Sequence, residues 1–299
     1  MTNQLSTTTQ QDAVYALAES NGTLFAARLS GLYRSDDGGA SWHNTFESLD
    51  QLLAATAVAV SGNTVFAGVN GAVLRSEDAG TNWQIVGLAS PAPHVVALAI
   101  SPTFSEDGFI AAGTAEDGVF ISNDGGLHWT AWNFGLIDQH CIALAISPDF
   151  AHDRTLFVGT ESGIFRSQNG GKGWQELAFP MASAPVISLA ISPNFVLDGQ
   201  LYAGTEHSGL YTSDDRGITW QLVANTPTES AINALQFATQ SADTLWLLLE
   251  DQVLQSFDGG ASWQQRQQFS PDQLAMTLCA DSATTAWVGF ADGSVLKVS

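Results

Sequence analysis

The sequence predicts an all-β chain folded as a seven-bladed β-propeller of four-stranded blades, and three observations carry the prediction. An octapeptide of the form S-x-D-x-G-x-x-W occurs six times: SDDGGASW from Ser35, SEDAGTNW from Ser76, SNDGGLHW from Ser122, SQNGGKGW from Ser167, SDDRGITW from Ser213 and SFDGGASW from Ser256. Its tryptophans, Trp42, Trp83, Trp129, Trp174, Trp220 and Trp263, stand 41, 46, 45, 46 and 43 residues apart. A period in the forties built from β-like runs marks a propeller or a β array. A short apolar run suited to an innermost strand occurs seven times rather than six: VYALAES, AVAVS, VVALAIS, CIALAIS, VISLAIS, AINALQF and AMTLCA.

Taken in order, each unit reads as strands A, B and C, then the octapeptide, then strand D. In the first unit these are VYALAES, TLFAAR, GLYRS and the run from Trp42. Large and small apolar residues alternate along A and B, which suits strands buried between neighbouring blades. The octapeptide sits between two β-like runs and reads as a hairpin turn. Asp37, Asp78, Asp124, Asp215 and Asp258, with Asn169 in the fourth copy, accept bonds from nearby backbone N–H groups, and the Gly tolerates positive φ. Each Trp supplies an apolar body that fixes the turn onto its unit. A calcium loop needs oxygens at alternate positions and a closing bidentate Glu, which no copy has. Units three to five insert S-P-x-F-x-x-D between A and B, and Phe104, Phe150 and Phe195 are expected to pack beneath their own blades. The alternative is a docking ridge over three blades. The seventh unit has strands A, B and C (GSVLKVS) but no octapeptide, so Gln4 to Gln10 are expected to supply its outer strand and close the ring. The units divide at about 13–50, 51–91, 92–138, 139–183, 184–228, 229–271 and 272–299 plus 1–12, in one domain over 1–299.

The octapeptide resembles the Asp box of the bacterial-neuraminidase-repeat (BNR) propellers, over nearly the whole chain. Within that superfamily the single-propeller group typified by photosystem II assembly factors is most similar, and sortilin-type receptors, xyloglucanases and sialidases share the box. The resemblance implies boxes in the C–D hairpins and ligands on the opposite face, around the central channel. It carries fold more than activity. Sialidases need three converging Arg; here Arg34, Arg75 and Arg166 share one repeat position before the box Ser and read as structural, and Arg28, Arg154, Arg216 and Arg266 are scattered. The sialidase Phe/Tyr-Arg-Ile-Pro motif is absent. Xyloglucanases of this kind set a cleft between two propellers, whereas this chain has repeats for one. The resemblance to the assembly factors implies a chain that is usually exported with a leader and presents a basic patch; neither is expected here, with two lysines, Lys172 and Lys297.

The charge balance bounds the partners. Nine Lys+Arg against 30 Asp+Glu give 299 residues a net charge of −21, which excludes nucleic acid and anionic membrane as expected partners and favours a basic one. The N-terminus lacks a signal-peptide pattern and no apolar window reaches the ~18–20 residues of a membrane span, so a soluble, cytoplasmic protein without membrane insertion is expected. Cys141 and Cys279 are expected to be buried free thiols. No phosphate loop, nucleophile elbow or metal-ligand motif appears, and no cofactor or metal is expected.

Candidate binding residues gather at the B–C turns and D–A connections. Five consecutive units place Glu116-Asp117, Glu161, Glu206-His207, Glu250-Asp251 and Asp292 at one rim. His94 and His140 precede inner strands of adjacent units and should approach Glu116 and Glu161, where the alternatives are a metal or acid–base role and a solvated rim. The D–A connections hold apolar residues that look exposed, Phe46, Leu49, Leu52 and Leu53; Phe134, Leu136 and Ile137; Phe179, Pro180 and Met181, and that either form a protein-binding patch or tuck against the blade. A helical turn is expected within FESLDQLLAAT. These features point to a non-catalytic scaffold that binds a protein or peptide through an acidic channel face, like an assembly factor. The alternative is a glycosidase-like enzyme, or a carbohydrate- or small-molecule-binding propeller, on the same acidic and His face.

Overall fold

The computed structural model describes residues 12–47, 49, 52–89, 91–180, 184–239 and 241–299. Within them the chain forms seven antiparallel sheets, six of four strands and one of three, each running in sequence order from its first strand to its last. The first strands are Val14–Ser20, Ala57–Ser61, Val95–Ile100, Cys141–Ile146, Val186–Ile191, Ala234–Phe237 and Ala275–Ala280. Each of them packs against its counterpart in the next sheet, and the first meets the last. The sheets therefore close into a ring around their A strands: a seven-bladed β-propeller, with blades 1 to 7 in chain order.

Each blade faces a neighbour on both sides, which is why its inner strands are apolar on both faces. The buried residues form seven clusters, one at each junction between blades, including blade 7 with blade 1. Side-chain size is complementary across these junctions. Strand B carries Gly68, Gly113, Gly159, Gly204 and Gly289 where a Cβ would press on Val95, Cys141, Val186, Ile232 and Val14, at or just before the start of the next A strand. In blade 6 the same place holds Leu248, and the next strand starts with the small Ala275. Such interdigitation is the packing that protein interiors require. In blade 6 the A strand begins at Ala234 rather than Ala231, because the Ile232 N–H is committed to the Thr205 carbonyl of blade 5 at 3.1 Å.

The outer strands are short, two residues in blades 1, 3, 4 and 5, which leaves little free edge. The seventh sheet has three strands among the described residues; the closing strand expected from Gln4 to Gln10 lies outside them.

The inserts of blades 3 to 5 form single helical turns, α1 (Phe104–Asp107), α2 (Phe150–Asp153) and α3 (Phe195–Asp198). Their motif folds on itself: Ser101, Ser147 and Ser192 each donate Oγ–H to the closing Asp at 2.6–2.7 Å. The carbonyls of Gly108, Arg154 and Gly199 then accept the N–H of Gly125, Gly170 and Arg216 at 2.9 Å, which fastens each turn to the octapeptide of its own blade. Phe104, Phe150 and Phe195 are buried, as expected, but at the junction with the preceding blade: Phe104 meets Phe66 and Phe195 meets Phe157 edge to face.

The D–A connections divide between the two expected arrangements. Phe46 and Leu136 are buried, not exposed, because each is drawn into the junction with the following blade. Phe179 packs on Trp220, whereas Leu52, Phe134 and Ile137 remain exposed. Met181 lies outside the described residues. The described part of FESLDQLLAAT holds a turn, with the Leu49 N–H on the Phe46 carbonyl at 2.9 Å, and no helix. No helix among the described residues is long and apolar enough to cross a membrane.

Candidate functional site

Each octapeptide is a self-bonded turn. The Ser Oγ donates to Oδ1 of the acidic residue and accepts the N–H of the Gly; in the third copy Ser122 meets Asp124 at 2.8 Å and Gly126 at 2.9 Å. Outside the fourth copy, where it is Gly173, the seventh residue closes the loop by its N–H and side chain, as Thr219 does on Asp215 at 2.8 and 2.6 Å. The Trp indole N–H turns back to the Gly carbonyl in Trp42, Trp83, Trp129 and Trp220. Trp174 instead reaches the Trp132 carbonyl, and Trp263 Nε1 is buried without a partner among the described residues. Side-chain hydrogen bonds from Ser41, Thr219 and Ser262 hold Asp37, Asp215 and Asp258 down to about 2, and the Asn82 backbone N–H does so for Asp78. At Asp124 burial opposes ionisation, but the bonds from His128 prevail and the value is again about 2. Asn169 keeps the geometry without the charge, accepting from Ser167 and Gly173 at 2.9 Å. Gly126 has φ of +85°, and a Cβ there would strike Phe66 of the preceding blade, so only Gly serves. The octapeptides are thus part of the scaffold.

The B–C turns and D–A connections share the other face. The His94 carbonyl accepts the Ala115 N–H at 2.9 Å and the Gln139 carbonyl accepts the Gly118 N–H at 3.0 Å. On this face Glu116, Glu161, Glu206, His207, Glu250, Asp251, Asp292 and His94 are exposed, and Asp117 is half-buried. Several are tied locally. Asp251 accepts from Gln268 at 2.8 Å, Asp292 accepts from Ser294 at 2.6 Å, and Glu206 lies 3.7 Å from His207.

One constellation forms around a residue that the sequence reading passed over. Asp138, in the connection from blade 3 to blade 4, accepts the Ser162 N–H at 2.8 Å and lies 2.9 Å from Nδ1 of His140. Burial opposes ionisation of Asp138, yet the bonds from Ser162 and His140 hold its carboxyl well below the usual range. The hydrogen bond to Asp138 in turn raises the pKa of His140, with smaller contributions from Glu161 and Glu116. The signal for Asp138 was its place two residues ahead of His140, at the mouth of an inner strand. Among the described residues no group of three His, Cys, Asp or Glu is arranged to hold a metal ion. Cys141, directly after His140, and Cys279 are buried free thiols pushed up to about 12 by burial, which makes them poor nucleophiles.

A cleft of about 520 Å³ opens at the opposite end of the channel. It is walled by the final residues of three A strands, among them Leu144, Leu189 and Leu235, and by Pro102, Pro148 and Pro193 of the inserts. Its lining contains no ionisable side chain.

A family model for a DUF6242 β-propeller domain matches residues 44–228, more than half of the chain. The chain belongs to the DUF6242 β-propeller domain family. This DUF6242 propeller is similar in shape to the GH74 xyloglucanase from Xanthomonas campestris, with 17% identity and a TM-score of 0.78, over 96% of this chain and 52% of that one. It thus spans about half the length of that enzyme. It is also similar to YCF48 from Cyanidioschyzon merolae (16% identity, TM-score 0.70, 97% of this chain and 96% of that chain). A structure of YCF48 bound to D1 peptide matches at 17% identity and a TM-score of 0.72, over 97% of this chain and 94% of that chain. No curated protein matches the sequence. At such identities the likeness shows the fold alone.

Proposed function

We propose that this DUF6242 propeller is a non-catalytic scaffold that binds a protein or peptide partner, one carrying basic residues, through its acidic B–C rim. The observation that carries the reading is the set of exposed acidic residues, Glu116, Glu161, Glu206, Glu250 and Asp292, at the turns of five consecutive blades. Facing solvent on a chain of net charge −21, they make a field that attracts and orients cationic segments. Asp138 and Asp292 are held below the usual carboxylate range, the opposite of what a general acid needs. A propeller of the same shape, YCF48, has been solved with D1 peptide, which supports peptide recognition by this fold. The self-bonded Ser–Asp–Trp turns support kinship with the Asp-box (BNR) propellers. The reading includes a soluble protein of the cytoplasm.

The test is capture of a lysine- and arginine-rich peptide by the full chain, compared with Glu161→Lys and Glu206→Lys. Affinity should fall at least tenfold in each variant and weaken with salt. Equal affinity in all three proteins removes the acidic rim from the account.

The alternative, a glycosidase-like or carbohydrate-binding propeller, draws on the Asp138–His140 pair with Glu161 and Glu116 nearby. Glycoside hydrolysis needs paired carboxyls ~5–10 Å apart across a sugar site, and the 520 Å³ cleft has no carboxyl in its lining. Release of reducing sugar from xyloglucan, lost on Glu161→Gln, would establish this alternative in place of the scaffold.

A further inference from the structure

The octapeptide of blade 4 departs from the others in charge. In blade 1, Arg34 stands just before the octapeptide. Its Nη1 donates to the Ala79 carbonyl of blade 2 at 2.9 Å and its Nε to Asp36, the second octapeptide residue, at 2.9 Å. In blade 2, Arg75 makes the same two kinds of bond with the nitrogens exchanged: Nε donates to the Gly125 carbonyl of blade 3 at 2.6 Å and Nη2 to Glu77 at 2.5 Å. Blade 4 repeats only half of this arrangement. Arg166 Nη1 donates to the Arg216 carbonyl of blade 5 at 2.8 Å, but the second octapeptide residue is Gln168, and Nε of Arg166, itself buried, has no acceptor among the described residues. The third residue is Asn169, and the fourth octapeptide is the one copy of six with no carboxylate. Lys172, exposed at its sixth position, forms no ion pair among the described residues.

These groups surround a cleft of about 320 Å³ lined by Phe134, Arg166, Gln168, Asn169, Lys172 and Trp174, with Gly173 and Gln175. Phe134 is itself anomalous. Phe46 and Phe179 occupy the matching connections and stack on the next blade's tryptophan at 5.1 and 5.3 Å. Phe134 stays 84% exposed beside Gly173. An unpaired guanidinium, a free ammonium and an uncovered aromatic ring thus share one cleft on a chain of net charge −21.

We propose that this cleft binds an acidic peptide segment of a partner protein. One Asp or Glu carboxylate of the partner sits on Arg166 and Lys172, as Asp36 sits on Arg34, and a neighbouring apolar side chain covers Phe134. The occupant is a peptide because the two internal precedents are themselves Asp and Glu side chains meeting the arginine at this repeat position. Guanidinium–carboxylate bonds are charge-assisted and directional. The repulsion from the rest of the surface is screened beyond ~8 Å at physiological salt, so the local cations decide at contact.

The test uses the full chain and the capped peptide acetyl-Gly-Leu-Glu-Gly-amide, with its Gln counterpart, followed by the side-chain Nε–H signal of Arg166 and the indole signal of Trp174 in NMR titrations. The Glu peptide should shift both signals saturably and bind at least tenfold more tightly than the Gln peptide. Gln168→Asp, which supplies an internal carboxylate of the kind blade 1 already carries, should weaken the Glu peptide at least tenfold, and Lys172→Glu should abolish it. Glu161→Lys, on the opposite face, should leave it unchanged. Equal binding of the two peptides, or undiminished binding to Gln168→Asp, overturns the proposal. Acetate that saturates the same signals at the peptide's concentration overturns the peptide assignment and leaves a site for small carboxylates.

Discussion

The indole N–H of Trp287 donates to the carbonyl of Gly38, 3.3 Å away and 249 residues earlier in the chain. This contact joins blade 7 to the octapeptide of blade 1. It belongs to a series in which the fourth octapeptide carbonyl accepts from the preceding blade: Ala79 from Arg34, Gly125 from Arg75, Arg216 from Arg166 and Gly259 from Tyr202. The donor changes while the acceptor stays, because the acceptor is a backbone atom positioned by the turn.

Trp287→Phe should lower stability by about 1 kcal/mol through the lost hydrogen bond. Trp287→Ala should lower it by roughly 3–5 kcal/mol, since it also opens a cavity at the ring closure. Urea unfolding read by circular dichroism checks both, and an unchanged midpoint for Trp287→Ala would show that this junction contributes nothing to closure.

The Gly68–Val95 junction makes size complementarity testable. A Cβ on Gly68 would stand 2.5 Å from Cγ1 of Val95, so Gly68→Ala should destabilise by about 1–3 kcal/mol. In a double-mutant cycle Val95→Ala should remove part of that loss, giving a coupling of at least ~0.5 kcal/mol. Strict additivity would place the strain elsewhere.

The octapeptide carboxylates predict an acid limb of the stability profile. Asp37, Asp215 and Asp258 have folded-state values of about 2, below the usual 3.8. Their stabilisation is complete above about pH 4 and is lost as pH falls through about 2. Replacing all three with Asn, the residue the fourth copy already uses, should flatten the decline in Tm over that interval. An equally steep decline in the triple variant would assign acid unfolding to other groups.

His140 should titrate above the ordinary 6.5 of histidine, because its partner Asp138 favours the imidazolium. The pair's contribution to stability is present below about 6.5 and disappears as pH rises through the raised value. Asp138→Asn should bring the His140 titration down in NMR; an unmoved curve would contradict the contact.

Much of the architecture was legible one residue at a time. Six octapeptides and seven inner-strand runs specified blade number and strand order, since a local turn needs only its own Ser, Asp, Gly and Trp to form. The rim carboxylates were also legible, because B–C turns follow from strand count. Whether Phe46 and Leu136 face solvent or the core was not legible. A loop's composition does not say which neighbour's flank it will meet, and theirs is the following blade.

Asp138 was missed for a related reason. Its partner Ser162 is 24 residues away, in a turn that the closing of blade 4 brings alongside. The cleft at Arg166 likewise exists only once Phe134 of blade 3 stands beside the octapeptide of blade 4.

The sequence by itself determined the repeat, the turn chemistry and the sign of the surface, which depend on contacts within a few residues or on composition. Only the tertiary structure decided ring closure, the pairing of Gly with Val across junctions and the grouping of charged side chains into sites. Those rest on contacts between neighbouring blades, whose distances are set by the packing of whole sheets against one another.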